Sequence, residues 1–194
     1  MNRQILNQAG LPQRWVVMGV SGCGKSAIGT LLAERLGFAH FEGDLDHPPA
    51  NIEKMGAGVP LDDEDRKGWL LLLQARLKQA ADQGRGLVLS CSALKRRYRD
   101  LLRAGDPGLM FVHLVGDRDV IAARMQARPN HFMPVKLLDS QLNDLEPLQP
   151  DEHGIALTIE LPPQQLVDQL VDQVVDQLMQ QATGSVPISG QAKE

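Results

Sequence analysis

Apolar residues along the chain follow two alternating rhythms. Short runs rich in Val, Leu, Ile and Phe, bounded by Gly, Ser or Asp, predict strands over 15–18, 38–42, 87–90, 110–115 and 155–160. Between them, apolar positions recur at helical spacing over 25–36, 62–83, 93–103, 118–127 and 134–142. Strand then helix, repeated, predicts an α/β fold: a five-stranded parallel sheet with helices on both faces.

Two stretches refine that pattern. Asp62, Asp63, Glu64 and Asp65 precede Trp69, Leu70, Leu72, Leu73 and Leu77, where acids oppose the positive end of a helix dipole; a solvated helix start explains them better than a metal site. Near the end, Val167-Asp168-Gln169, Val171-Asp172-Gln173 and Val175-Asp176-Gln177 repeat every four residues and set Leu166, Leu170, Val174 and Leu178 on one slowly drifting stripe. That stripe predicts a docking helix, with a dimer contact as its alternative use. Beyond Gln181, periodicity gives way to Gly, Ser and Pro, as in a frayed tail.

Length and composition narrow the class. A chain of 194 residues supports one α/β domain with a sizeable core, expected over 14–181 after an extension at 1–13 and before a disordered tail at 182–194. Hydrophobic residues make up 43% and charged residues 23%, as in soluble globular proteins, and no apolar run approaches the roughly 18–20 residues a membrane span needs. The first 13 residues lack the apolar stretch of a secretory signal, and two cysteines without disulfide-scaffold spacing fit a reducing cytoplasm. A net charge of -4 gives no general attraction for nucleic acid or anionic membrane, so any polyanion it binds should be small and locally held.

One segment supplies that local hold. Gly19-Val20-Ser21-Gly22-Cys23-Gly24-Lys25-Ser26 satisfies G-x-x-x-x-G-K-[ST] and lies between an apolar strand and a helix, the context the motif requires. Its glycines let backbone N–H groups turn inward, Lys25 reaches the β and γ phosphates, and the Ser26 hydroxyl can ligate Mg²⁺. This predicts a P-loop NTPase fold that binds ATP. No Asn-Lys-x-Asp guanine reader occurs, and the strand 87–89 ends in Ser90-Cys91-Ser92 rather than in the aspartate expected of a motor or GTPase. The acceptor is then read beyond the carboxyl ends of the strands. There, Glu42-Gly43-Asp44-Leu45-Asp46-His47-Pro48 offers Asp44 to accept or orient the proton of an attacking hydroxyl, or to hold water on Mg²⁺; an Asx turn or helix cap before Pro48-Pro49 is its structural alternative.

Several ordered blocks add a resemblance over about residues 15–180. Gly19 to Ser26; Gly43-Asp44 with His47-Pro48; Asn51-Ile52-Glu53-Lys54-Met55; Pro60-Leu61-Asp62-Asp63-Glu64-Asp65-Arg66 with Trp69-Leu70; and Cys91-Ser92-Ala93-Leu94-Lys95 through Tyr98-Arg99-Asp100-Leu101-Leu102-Arg103 together resemble the gluconokinases of the P-loop type, relatives of shikimate kinase and the nucleoside monophosphate kinases. The resemblance implies a nucleoside-monophosphate-kinase-like fold with a lid, transfer of the ATP γ-phosphoryl group to the 6-hydroxyl of D-gluconate with Mg²⁺, and a homodimer.

It also gives meaning to polar residues that patterning leaves undefined. Arg66 suits the gluconate carboxylate or a row of hydroxyls, by analogy with shikimate kinases, against the alternative of a surface partner for Asp62 or Asp63. His47 is a candidate for a substrate hydroxyl or for capping and packing. Ser92, Ala93 and Lys95 open a helix beyond the third strand, where small side chains and N–H groups can approach the acceptor; Lys95, Arg96, Arg97 and Arg99 also read as a solvated basic face. Arg124 and Arg128, one helical turn apart, precede Pro129-Asn130-His131-Phe132-Met133-Pro134 and predict a lid at about 124–136 that neutralises phosphoryl charge, stacks near adenine and excludes water; helix-surface arginines are the alternative. Asp46 stands where the family usually has an apolar or aromatic residue, and Pro129-Asn130 where it often has lysine-glycine, so Asp44 and Asp46 both remain candidates for the orienting carboxylate. A kinase of shikimate or another polyhydroxy acid is the neighbouring reading, and a nucleotide-switched binding protein the distant one.

Overall fold

A computed structural model describes residues 10–127 and 136–184, with side chains through residue 180. Arg128, the segment 129–134, and most of the predicted extension and tail lie outside the described residues. Five strands, β1 (Arg14–Met18), β2 (Ala39–Glu42), β3 (Leu87–Ser90), β4 (Met110–Val115) and β5 (Gly154–Thr158), form one parallel sheet in the order β2-β3-β1-β4-β5. The α-helices are α1 (Lys25–Leu36), α2 (Pro49–Gly56), α3 (Asp63–Asp82), α4 (Arg96–Arg103), α5 (Arg118–Gln126), α6 (Lys136–Asp144) and α7 (Pro163–Gly184), with a 3-10 turn at Gly43–Asp46.

The central strand shows why the sheet needs cover on both sides. Trp15 and Val17 point into one apolar cluster with α1 and α7, whereas Val16 and Met18 point into the other with Trp69, Leu73 and Leu77 of α3 and Leu102 of α4. With side chains alternating across the pleat, continuous apolar strands demand two helical layers. The four-residue repeat in α7 docks as expected, but its buried stripe is two residues wide: Leu166, Leu170 and Val174 are joined by Val167, Val171 and Val175. Four-residue spacing drifts about the helix axis, and two adjacent rows keep contact where one would rotate away. The acidic run before α3 is a helix start: the Asp62 side chain accepts from the Asp65 N–H at 2.9 Å, and Asp65 accepts from the Asp62 N–H at 2.8 Å.

Two departures from periodicity have local causes. Helix α2 has no clear apolar rhythm, exposes much of its surface, and is started by Pro49 at a first-turn position. Helix α4 begins at Arg96 rather than at 93, because Ala93 takes a left-handed backbone conformation with φ 41° and the chain runs extended before the helix.

That irregular segment is held by a buried arginine. The Arg99 side chain donates to Glu152 through Nε at 2.7 Å and Nη2 at 2.8 Å, and also reaches the carbonyls of Ala93, Leu94, Glu146 and Pro147. Both members of the pair have fully buried side chains. Burial works against the Glu152 charge, but hydrogen bonds from Arg99 and the Gln149 N–H hold its carboxyl below the usual range. Burial and the Arg99 charge push the nearby His113 imidazole down to about 4, leaving it neutral. Glu152→Ala would strand the Arg99 guanidinium, and urea unfolding should show a loss of about 3–5 kcal/mol.

Candidate active site

The phosphate loop leaves β1 and turns into α1 at the carboxyl edge of the sheet. Gly19 has φ 135°, and a Cβ there would stand 2.8 Å from the Leu114 carbonyl, so the turn can be made only by glycine. Gly24 caps α1 in a left-handed conformation, which brings the helix N-terminus onto the loop. The Gly19 N–H donates to the Ser92 carbonyl at 3.3 Å, and the Ser90 hydroxyl donates to the Lys25 carbonyl at 3.1 Å. Through these bonds Gly19, Val20, Ser21, Gly22, Cys23, Gly24, Lys25 and Ser26 are anchored to the end of β3.

Lys25 is 7% exposed and its ammonium donates to the Val20 carbonyl at 3.1 Å, inside the loop. Burial works against its charge, but the fields of Cys23, Asp44, Glu42 and Cys91 outweigh it and raise its pKa. Burial raises both thiols, Cys91 to about 12, so near neutral pH the two carboxylates carry that field. Asp44, on the 3-10 turn after β2, is thus near enough for its charge to act on Lys25. Asp46 turns the other way, accepting from Arg76 Nε at 2.8 Å while that guanidinium lies 4.0 Å over the Phe41 ring.

Glu42, which pattern reading left without a role, stands with them. Burial raises its pKa, a hydrogen bond from Ser26 opposes the rise, and its Oε1 is buried without a hydrogen-bond partner. An exposed Ser26 hydroxyl beside a carboxylate with spare acceptor capacity suits a hydrated Mg²⁺ bound to phosphates. Its place two residues before Asp44, at the end of a strand, is the one cue the sequence offered.

The acceptor side rests on α3. Trp69 donates its indole N–H to the Gly43 carbonyl at 2.8 Å, fixing the turn that carries Asp44, and its ring stacks on His47 at 4.1 Å and 18°. Burial lowers the His47 pKa, aided by Arg66 and opposed by Asp44. Arg66 does not pair with Asp62 or Asp63. It is 5% exposed, 5.8 Å over the Tyr98 ring, and its Nε has no hydrogen-bond partner among the described residues. A buried guanidinium without a carboxylate is a costly arrangement that an anionic ligand would relieve. Arg66 lines a narrow cavity with Met55, Pro60, Leu61, Leu137, Ser140 and Gln141.

Other candidates lie around this centre. Ser92 and Ala93 are buried at the end of β3. Lys95 is shared between Asp63 at 3.3 Å and Asp144 at 3.1 Å, with its ammonium 5.7 Å over Tyr98. Asp63 also receives the Tyr98 hydroxyl and Arg97. Arg99 is the structural clamp described above, not part of the site. Arg124 donates to the Ile159 carbonyl at 3.0 Å and lines a separate cavity of about 380 Å³ with Val120, Asp117 and Ile159.

Comparison with known proteins places the chain in a family. The shikimate kinase family profile matches residues 21–181. A gluconokinase of Gluconobacter oxydans is 48% identical over 162 residues, covering 83% of this chain and 91% of its own. The thermoresistant gluconokinase of Escherichia coli is 44% identical over 143 residues, covering 74% and 82%. The crystal structure of a gluconokinase from Sinorhizobium meliloti superposes with a TM-score of 0.79 at 42% identity, covering 90% of this chain and 98% of that one. With a parallel P-loop sheet, a family profile over most of its length and relatives at this level of identity, the chain belongs to the shikimate kinase family of P-loop kinases, in its gluconokinase branch.

Proposed function

We infer that this protein is a gluconokinase, moving the γ-phosphoryl group of ATP to the 6-hydroxyl of D-gluconate to yield 6-phospho-D-gluconate and ADP. The observation that carries this reading is the pairing of Asp44, whose charge acts on Lys25, with a buried Arg66 that lacks a carboxylate partner among the described residues. The first supplies a group for the reacting hydroxyl, the second a fixed cation for the far end of an acid.

The chain's own groups divide the work. Backbone N–H groups of the phosphate loop other than those of Gly19 and Ser21, with the α1 N-terminus, hold the triphosphate, and Lys25 binds its β and γ oxygens. The cavity bordered by Val120, Ile159 and Arg124 suits adenine. Arg66 binds the gluconate carboxylate as a planar fork, while His47 and the segment with Ser92, Ala93 and Lys95 face its hydroxyls. Asp44 accepts a hydrogen bond from the 6-hydroxyl and orients its oxygen toward the γ phosphorus. As the new O–P bond forms and the bond to the β-phosphate oxygen breaks, the hydroxyl proton passes to Asp44, and ADP leaves with the bridging oxygen. Ser26, with Glu42 behind it, would hold Mg²⁺, which would supply charge neutralisation at the phosphates. Arg124, with Arg128 from the lid, adds positive charge at the closed site.

An ADP-release assay across gluconate, shikimate, related sugar acids and nucleoside monophosphates tests the acceptor directly. Turnover of another acid without turnover of gluconate would overturn the substrate and leave the kinase class standing. Asp44→Asn should lower kcat about 100-fold or more while Asp46→Asn stays within a few-fold, because the first acts on Lys25 whereas the second is paired with Arg76. Equal losses in the two variants would remove Asp44 from its role. Arg66→Ala should raise the KM for gluconate about 10–100-fold and leave that for ATP nearly unchanged, as expected for a lost charge-assisted contact.

A further inference from the structure

Gln141 stands 120 positions from Ser21 in sequence, yet its Oε1 accepts the Ser21 backbone N–H at 2.6 Å, with both groups buried. The same residue, 7% exposed, borders the cavity that holds Arg66. One carboxamide thus touches the loop that grips the phosphate donor and lines the narrow cavity beside Arg66. Leu138, fully buried on the same helix, shows what fills a purely structural position there. A buried glutamine costs side-chain entropy and desolvation that leucine would not, and the Ser21 N–H it satisfies offsets part of that cost.

The helix that carries it is braced on both flanks of the site. At its start, Lys136 donates to the Ala57 carbonyl at 3.2 Å, beyond the end of α2. Asp139 binds Arg118 of α5 through Nε at 2.7 Å and Nη2 at 3.0 Å. Asp144, at its end, meets Lys95. Helix α6 therefore sits between the acceptor helices and the donor side, and Gln141 is its polar contact with the phosphate loop. An uncharged oxygen suits this position, since a carboxylate would repel both the triphosphate and an acid bound at Arg66.

We propose that Gln141 is a positioning residue for phosphoryl transfer, tying the Ser21 N–H of the phosphate loop to the helix packed beside Arg66 so that donor phosphate and acceptor hydroxyl are held in register. The proposal rests on the gluconokinase reading for its acceptor. It assigns Gln141 no bond to be made or broken.

The test compares the full chain with Gln141→Leu and Gln141→Glu, measuring kcat and KM for both substrates, the Kd of a non-hydrolysable ATP analogue, and Tm. Gln141→Leu should lower kcat about tenfold while analogue affinity stays within about threefold and the protein remains folded, because reacting groups lose alignment before they lose binding. Gln141→Glu keeps an oxygen for Ser21 but adds charge; its turnover should recover relative to the parent as pH falls from about 8 to 6 and the buried carboxyl takes up a proton. Gln141→Leu with kcat within twofold of the parent would overturn the proposal. So would a Gln141→Glu pH profile parallel to that of the parent, which decides the matter alone if Gln141→Leu does not fold. If the parent phosphorylates a different acid, the substrate reading fails, and the same comparisons made with that acid still judge Gln141.

Discussion

The site depends on a charge that never meets water. Arg99 gathers the carbonyls of Ala93, Leu94, Glu146 and Pro147 around one guanidinium and neutralises it with Glu152. That clamp helps to hold the chain between β3 and α4, where Ala93 is in a left-handed conformation and the helix has not yet begun. Because the Ser92 carbonyl receives the Gly19 N–H, the same clamp also steadies the first turn of the phosphate loop. A buried ion pair is a weak source of net stability, but it specifies one arrangement of the segments it joins, since every alternative leaves a charge without a partner.

Around that frame, the arrangement of charge is economical. Lys25 is kept protonated in a buried place by Asp44 and Glu42, and those two carboxylates tolerate each other because the lysine lies among them. Asp46, only two residues away from Asp44, is withdrawn from this field by Arg76. The turn therefore presents one carboxylate to the phosphate loop and one to the outside of α3. Trp69 fixes which is which, since its bond to Gly43 sets the rotation of the turn.

How much of this could be read beforehand follows from the range of each interaction. The phosphate loop was legible because its function is carried by backbone shape, and that shape is written in consecutive glycines. The five strands and most helices were legible from period, and the start of α3 from its acidic run. Helix α2 was not, because its surface is largely exposed and its start depends on proline rather than on an apolar stripe. Asp44 and Asp46 could not be separated, since the residue that separates them is 30 positions away. Arg99 read as one member of a basic run, and only the fold reveals Glu152 beside it. Arg66 was singled out by resemblance, but its burial without a counter-ion among the described residues is a property of three dimensions.

The stacking of His47 on Trp69 has a practical consequence. The chain contains two tryptophans, and Trp15 is sealed within the central strand. Trp69, by contrast, has one face against a histidine that borders the acceptor side and its N–H on the turn that carries Asp44. Its fluorescence is therefore a native optical reporter of the acceptor half of the site, set against a second indole whose surroundings stay constant while the fold is intact.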